Sequence, residues 1–481
     1  MSEPSDRHQP AGAPASRGGE WRNWAGDQRC RPAVVETPGS IEQISEAIAR
    51  AAAHDRRVRV AGAGHSFSDI ALTDGSQLRL DRLTRVLDVD RATGLVRVQG
   101  GITIRELNLR LAEHGLAMEN LGDVDAQTLA GAISTATHGT GARLPNISAQ
   151  VAELTLVLAD GSTLLCAAPR DGGTGREPLD PGTGPLGAAT ERHDTRTAPL
   201  GADLLRAARV SLGALGVIAE VTLRCVPAFT LRGVDTPKPL HDTLARFEEL
   251  ALDADHFELF VFPHAGVALT RTNNRTDDPP RPRGRISAYA NDILLTNHVF
   301  ALFCRAGRRF PKRIPQINRL VTRLAGASTR MDRSDRIFAS PRLVRFTEME
   351  YSLPRHVIPE AVRRVMALVP ERGFAVPFPI EIRTVAPDDA LLSTAFGRDS
   401  GFVAVHMFEG MPFEPYFRAV EAVMDEFGGR PHWGKRHFQT AATLRPRYPE
   451  WDRFQAIRAR LDPHGRFAND WTDRILGPVD G

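Results

Sequence analysis

Between residues 37 and 167 the apolar positions fall into short, well-bounded groups. Ile41, Ile44, Ile48 and Ala51 recur at helical spacing behind Ser40 and Gln43, a capping-box pattern that predicts a helix start. Val58 and Val60 alternate with Arg57 and Arg59, the pattern of a half-buried strand. Gly62 and Gly64 end that strand by admitting backbone angles that other residues resist. Strand-like runs follow at 78–80, 86–89 and 95–98, and Gly100-Gly101 leads to a second capped helix. That helix has Thr103 and Glu106 at its start and Leu107, Leu111 and Leu116 along it. Residues 151–158 and 163–167 read as a hairpin about Asp160-Gly161. A glycine turn and a buried strand within 211–226 close the region. Strand, glycine turn and helix in alternation predict an α+β or α/β domain over 20–228.

The rhythm changes near Phe229. Runs at 255–269 and 343–353 read as strands, and 241–252, 293–309 and 359–369 as helices. This mixture predicts an antiparallel sheet covered by helices, a second α+β domain over 229–430. Residues 431–481 return to glycine- and aromatic-rich text. Residues 1–19 are polar and rich in Pro, Ser and Ala, which predicts a disordered tail and no signal peptide. Residues 169–199 collapse into Gly, Pro, Thr, Asp and Arg, a disordered surface insertion. No apolar run reaches membrane-spanning length. The nearest, 286–304, is interrupted by Asn291, Asp292, Asn297 and His298. It reads as a helix with one buried face, at most resting on a membrane surface, and Arg305, Arg308 and Arg309 at its end suit an anionic one.

Composition narrows the field. A net charge of +3 over 481 residues does not suggest a nucleic-acid partner. Cys30, Cys166, Cys225 and Cys304 are far apart, which argues against a structural zinc site or a disulfide framework and fits a reduced, cytoplasmic setting. No metal is expected. Lysine occurs only at positions 238, 312 and 435, so each one stands out against the arginines.

Two stretches carry candidate chemistry. The turn after Val60 can point several backbone N–H groups at one anion, with His65 and Ser66 inside it. Phe67 stands where a dinucleotide fingerprint needs a third glycine, so a plain tight turn with a solvated histidine stays open on this stretch alone. Residues 120–144 are small and hydroxyl-rich, which admits either close approach of a large flat ligand or dense core packing.

Five motifs occur in fixed order: Gly62-Ala63-Gly64-His65-Ser66, the run from Ala130 through Ser134, Thr137, His138 and Gly139 to Gly141, Glu381-Ile382-Arg383, His432-Trp433-Gly434-Lys435 and Phe467-Ala468-Asn469. In these the chain resembles the aldonolactone oxidoreductases and alditol oxidases, which share the vanillyl-alcohol-oxidase type of FAD fold. The resemblance runs from Trp24 to Leu476, sparing the tail and the insertion. It implies a two-part FAD-binding domain with an α+β cap that carries the substrate site. It further implies FAD held through Gly62, Ala63, Gly64, His65, Ser66, Gly100, Ser134, Thr137, His138, Gly139, Val217, Ile218 and Asn469, with a covalent 8α-histidyl bond at His65. Glu381, Arg383, Lys435 and His406 are implied in the substrate pocket.

The chemistry fits those residue types. Removing a hydride from an alcohol puts negative charge on the flavin and frees a hydroxyl proton, so a fixed cation and a proton acceptor are both needed. Glu381 and Arg383, two apart on a strand, leave the same face; Lys435 supplies a point charge; His406 can handle a proton. A surface ion pair, a solvated lysine and a core histidine remain the plain alternatives. In related lactone dehydrogenases an alanine at the position of Gly100 keeps oxygen from the flavin, so glycine predicts an oxidase. The expected substrate is L-gulono- or D-arabinono-1,4-lactone, oxidised at C2 to an ascorbate-type product with oxygen reduced to hydrogen peroxide. The alternatives are an alditol oxidase acting on xylitol or sorbitol, a dehydrogenase serving another acceptor, and a flavin-storing protein without turnover.

Overall fold

The computed structural model describes residues 16–17, 19–168, 201, 203–284, 297–340 and 342–479. The expected insertion at 169–199, and nearly all of the expected tail at 1–19, lie outside them.

The first predicted helix forms over Ile41–Ala53. Ser40 accepts from the Gln43 N–H, while the Gln43 side chain accepts from Gly39 N–H, one residue before the cap. Its Ile44, Ala47, Ile48 and Ala51 bury against Val58 and Leu78. Those two valine and leucine positions belong to a small sheet ordered Ser16–Arg17, Val34–Glu36, Ser76–Leu78, Val58–Val60, parallel among its last three strands. A second, antiparallel sheet runs Thr163–Ala167, Val151–Val157, Val217–Arg224, Leu95–Gln99, Val86–Asp90. The second helix spans Ile104–Glu113, capped by Thr103 as expected, but stops before Leu116, which starts the short strand Leu116–Ala117.

The third sheet has eight strands, antiparallel throughout, ordered Ser328–Arg333, Thr230–Pro239, Val267–Thr276, His256–Val261, Ile380–Val385, Ser400–Phe408, Phe346–Pro354, Arg430–Pro431. The single strand expected at 255–269 is two, turned at Pro263–Gly266 with His264 at φ +68°. The helix expected at 241–252 is likewise two, Leu240–Ala245 and Phe247–Asp253. The helices Ile358–Glu371 and Phe300–Arg309 fall where expected, the part of the latter at 293–296 lying outside the described residues.

Strand alternation divides this sheet by polarity. Leu259, Val261, Ile380, Ile382, Val403, Val405, Met349 and Tyr351 point to one side and join the core under Ile358–Glu371 and Glu414–Glu426. Cross-strand register puts Glu258 beside Arg383, Phe260 beside Glu381 and Glu348 beside His406 on the other side. Every residue of Ile380–Val385 and Ser400–Phe408 is buried. Charged side chains on that second face are therefore enclosed rather than solvated, and they must find partners.

Candidate active site

Two cavities meet at His65, Ser66, Gln127 and Thr135, which line both. The second cavity follows the glycine turn from Val60 to Ser66 and the segment Thr128–Thr135, with Gly100, Gly101, Leu212, Gly213 and Ile218 on its far wall. Its walls tolerate no added side chain at the turn. A Cβ on Gly62 would stand 2.4 Å from Thr128 Oγ1, and Gly64 holds φ +73°. The small-residue stretch reads best as a close-approach wall here, because Thr128 caps the helix Leu129–Ser134 and faces the glycine turn.

Arg59 is a departure from the predicted pattern. Its alternation with Val58 predicts exposure, yet it is 3 % exposed. Its guanidinium donates to the carbonyls of Ile70, Leu212, Gly213 and Phe467. No carboxylate among the described residues pairs with it, and burial, helped by Arg458, pulls it down to about 10. It lines the second cavity, so this groove carries a buried, uncompensated cation suited to an anionic ligand. Replacing Arg59 with methionine would strand those carbonyls; we expect a loss of about 3 kcal/mol or more in unfolding free energy, read by denaturant titration of the holoenzyme.

The first cavity is lined by the charged face of the eight-stranded sheet. Arg383 ion-pairs with Glu381 and reaches Glu258 at 3.1 Å and Asp123 at 3.3 Å. Asp123 also pairs with Arg342, and Glu258 with Arg271 at 3.1 Å. Glu381 has only Arg383 within ion-pair distance among the described residues. Burial, with Asp123 and Glu258 nearby, therefore raises its carboxyl above the ordinary range despite the guanidinium.

Lys435 pairs with Glu348 and lies 5.3 Å from the centre of the Phe67 ring. Burial opposes its charge, but Glu348 and Glu350 outweigh that and hold the ammonium above its usual range. Glu348 and Glu350, two apart on one strand, each face an imidazole at 3.5 Å, His406 and His138 respectively. Each imidazole turns its Nδ1 to a backbone carbonyl, of Pro379 at 3.1 Å and of Gly139 at 2.8 Å. A carbonyl only accepts, so both Nδ1 atoms carry hydrogen and both Nε2 atoms face a carboxylate. For His406 burial works against the proton, and the Glu348 carboxylate wins, raising its pKa. His432 accepts from the Gly434 N–H and is driven by burial to about 3.

His65 stacks on Trp24, with ring centroids 5.5 Å apart. Burial and the charge of Lys435 lower it to about 4, so it is a neutral imidazole at the meeting point of the two cavities.

Of the residues expected from sequence, Glu381, Arg383, His406, Lys435, Thr137 and His138 line the first cavity, and Gly62, Ala63, Gly64, Gly100, Ser134 and Ile218 the second. His65 and Ser66 line both. Three do not line either. Val217 is packed in the core against Val58 and Leu78. Gly139 is pressed on Asn120, whose Oδ1 would be 2.4 Å from an added Cβ. Asn469 caps the helix Asp470–Leu476 and donates to the carbonyls of Asp69, Ile70 and Leu72, so it braces the segment behind the glycine turn. The space expected beside Gly100 is not open: a methyl there would meet the Ile218 carbonyl at 2.4 Å and Ala130 Cβ at 3.3 Å. Glycine at 100 is thus required by strand packing and carries no argument about oxygen. Asp123, Arg342, Glu258, Glu348, Glu350, His432 and Arg59 were not expected at the site. A signal existed for Glu348 and Glu350, whose spacing on a predicted strand repeats that of Glu381 and Arg383.

The profile of the D-arabinono-1,4-lactone oxidase family matches residues 221–475, and that of an FAD binding domain matches 32–167. The chain belongs to the D-arabinono-1,4-lactone oxidase family. An L-gulono-1,4-lactone dehydrogenase of Mycobacterium tuberculosis is 49 % identical over 95 % of this chain and 99 % of its own length. An L-gulonolactone oxidase of Bos taurus is 32 % identical over 96 % of this chain and 99 % of its own. An alditol oxidase of a Streptomyces species is 32 % identical over 94 % of the chain and 98 % of its own. The fold is that of a cholesterol oxidase from Brevibacterium sterolicum, with TM-score 0.76 at 18 % identity over 99 % of this chain and 100 % of that one. Membership accounts for an FAD cofactor, and the glycine-lined groove with its buried Arg59 fits that anionic ligand.

Proposed function

We propose that this member of the family oxidises the C2 hydroxyl of an aldono-1,4-lactone, L-gulono- or D-arabinono-1,4-lactone, to a 2-keto product that enolises to an ascorbate-type enediol. The observation that carries the reading is the junction at His65 of a glycine-lined groove and an enclosed cavity holding Glu381–Arg383 and Lys435. The division into FAD-binding parts at 20–228 and 431–481 around a cap at 229–430 belongs to the same proposal.

FAD, when bound, supplies the hydride acceptor. The residues of this chain supply the rest. Arg383 donates to the polar oxygens of the lactone and keeps Glu381 oriented towards it. Glu381, held by burial above the ordinary carboxylate range, takes the hydroxyl proton, for which a raised pKa is the better match. Lys435, fixed beside Glu348 in the first cavity, would set a positive charge against the electron density a bound flavin gains, and the low-dielectric surroundings would strengthen its effect. His406, its pKa raised by the Glu348 carboxylate, can hold a further proton within the cavity. A base of this kind works only when ionised. Lactone-driven flavin reduction should accordingly slow as pH falls through an apparent pKa above the usual 4.5, and Glu381→Gln should abolish that acid limb in stopped-flow traces.

Molecular oxygen is the acceptor on this reading, by likeness to the oxidases among the relatives. A second reading, a dehydrogenase passing electrons to another acceptor, draws on the Mycobacterium tuberculosis relative. A cytoplasmic location is part of the proposal, and any membrane contact would be peripheral, since among the described residues no helix is long and apolar enough to cross a bilayer. Anaerobic titration with L-gulono-1,4-lactone and, separately, xylitol tests the substrate, followed by admission of air. Bleaching by the lactone alone, with rapid recovery of colour, is the expected result. Slow recovery would assign the dehydrogenase, and bleaching by xylitol alone would overturn the lactone reading.

A further inference from the structure

The helices Phe300–Arg309 and Ile314–Leu324, joined through the short turn Pro311–Arg313, expose large apolar side chains beside their basic ones. Towards the protein they bury Ala301, Cys304 and Gly307 on the first helix and Ile314, Asn318 and Thr322 on the second. Asn318 is fully buried, donating to the carbonyls of Pro263 and Val376. Towards solvent the same helices and their joint present Leu302, Phe310, Leu320 and Leu324, with Leu324 67 % exposed. An ordinary surface helix keeps such large apolar side chains for its buried face. The concentration is local: seven large apolar side chains are exposed among the described residues, and five of them are these four and Leu343. Leu343 is tied to the same region by its backbone N–H, which Asn297 accepts at 2.8 Å.

Charge sets this face apart as well. Residues 297–324 contain seven Arg or Lys and no Asp or Glu. All seven side chains are exposed, and none pairs with a carboxylate among the described residues. The whole chain carries only +3, so this segment holds a local excess of cations that the rest of the surface offsets. Two of them, Arg308 and Arg309, lie over the Phe408 and Phe310 rings, with the cation standing beside apolar surface.

We infer that the face formed by Phe300–Leu324 and Leu343 docks on an anionic phospholipid surface. Leucine and phenylalanine side chains flanked by exposed arginines match the two terms of interfacial binding, apolar insertion and attraction to acidic headgroups. A nucleic acid would answer the charge but leave the exposed leucines unexplained. The docked face lies next to the active site along the chain: Arg342, adjacent to Leu343, and Phe300, at the start of the first helix, line the first cavity. An acceptor dissolved in the bilayer would then lie close to the flavin side of the protein. The inference concerns a surface and does not depend on which lactone is oxidised.

The test is co-sedimentation of the FAD-loaded protein with vesicles of phosphatidylglycerol and phosphatidylcholine, against vesicles of phosphatidylcholine alone. We expect pelleting with the anionic vesicles only, weakened by salt. The pair Leu302→Glu and Phe310→Glu should lower the bound fraction at least about tenfold, with lactone-driven bleaching unchanged. Wild-type protein that pellets with the anionic vesicles but is not bleached by lactone would count against the lactone reading and leave the surface intact. Retention of the wild-type protein in the supernatant overturns the inference, as does equal pelleting of the paired variant. A solution dimer broken by Phe310→Glu, or retention on a DNA duplex, in either case without vesicle binding, overturns it too and assigns the face to that partner.

Discussion

Replacing Arg383 with methionine should lower the rate of lactone-driven flavin reduction by about a hundredfold to ten-thousandfold, the largest effect expected of any single change in the cavity. The reason lies in what the guanidinium holds. It is buried among Glu381, Glu258 and Asp123. Asp123 keeps Arg342 and Glu258 keeps Arg271 after the substitution, but Glu381 keeps no ion-pair partner among the described residues. A carboxyl already raised by burial would then be raised further, leaving less of it ionised to serve as a base. Breaking a buried pair by removing one member also destabilises by about 3–5 kcal/mol, so the melting temperature should fall as well. Arg383→Lys separates the two effects. An ammonium restores the charge but cannot bridge three carboxylates in one plane, so stability should recover further than rate. FAD content should stay near that of the wild type, since Arg383 lies in the first cavity and not along the groove. Reduction within tenfold of wild type in the methionine variant would remove Arg383 from the chemistry.

Local features were legible in the sequence where short-range rules decide them. The caps at Ser40 and Thr103 and the glycine turn before His65 depend on residues within a few positions of each other, and they form as read. The pairing of Glu381 with Arg383 was legible for the same reason, since strand geometry alone puts them on one face. Arg59 was misplaced because alternation assumes one solvated face. Its strand Val58–Val60 lies at the end of its small sheet, but Phe467 and Leu212 arrive from far along the chain to cover that end. Lys435 was singled out, whereas its partner Glu348, 87 residues earlier, acquired a role only when the strands aligned. The turn at Pro263–Gly266 contains the usual breakers and was missed because the apolar run on either side looked continuous. Asn469 stands beside the groove in the motif yet behind it in space, a distinction that order along the chain cannot make.

Acid precipitation of the purified protein should leave the yellow colour with the polypeptide, and His65→Ala should release all of it into the supernatant. An imidazole can bond to the flavin 8α-carbon only through an unprotonated nitrogen, and His65 meets that condition with a pKa near 4. Burial is the main cause and Lys435 the next, so the same cation that favours electron-rich flavin also keeps this nitrogen free. No described residue hydrogen-bonds to either ring nitrogen, and the ring is held flat against Trp24 at the junction of the two cavities. Gly64, at φ +73°, sets the turn that aims it there. In the alanine variant FAD should still bind, because the glycine turn and Arg59 remain, and the protein should be yellow before acid and colourless after it. A carbon–nitrogen bond to the ring withdraws electron density, so the variant's flavin should also have a lower potential and be reduced more slowly by lactone. Release of flavin from the wild type under the same acid would show that His65 is a stacked neighbour only, while the binding groove would stand.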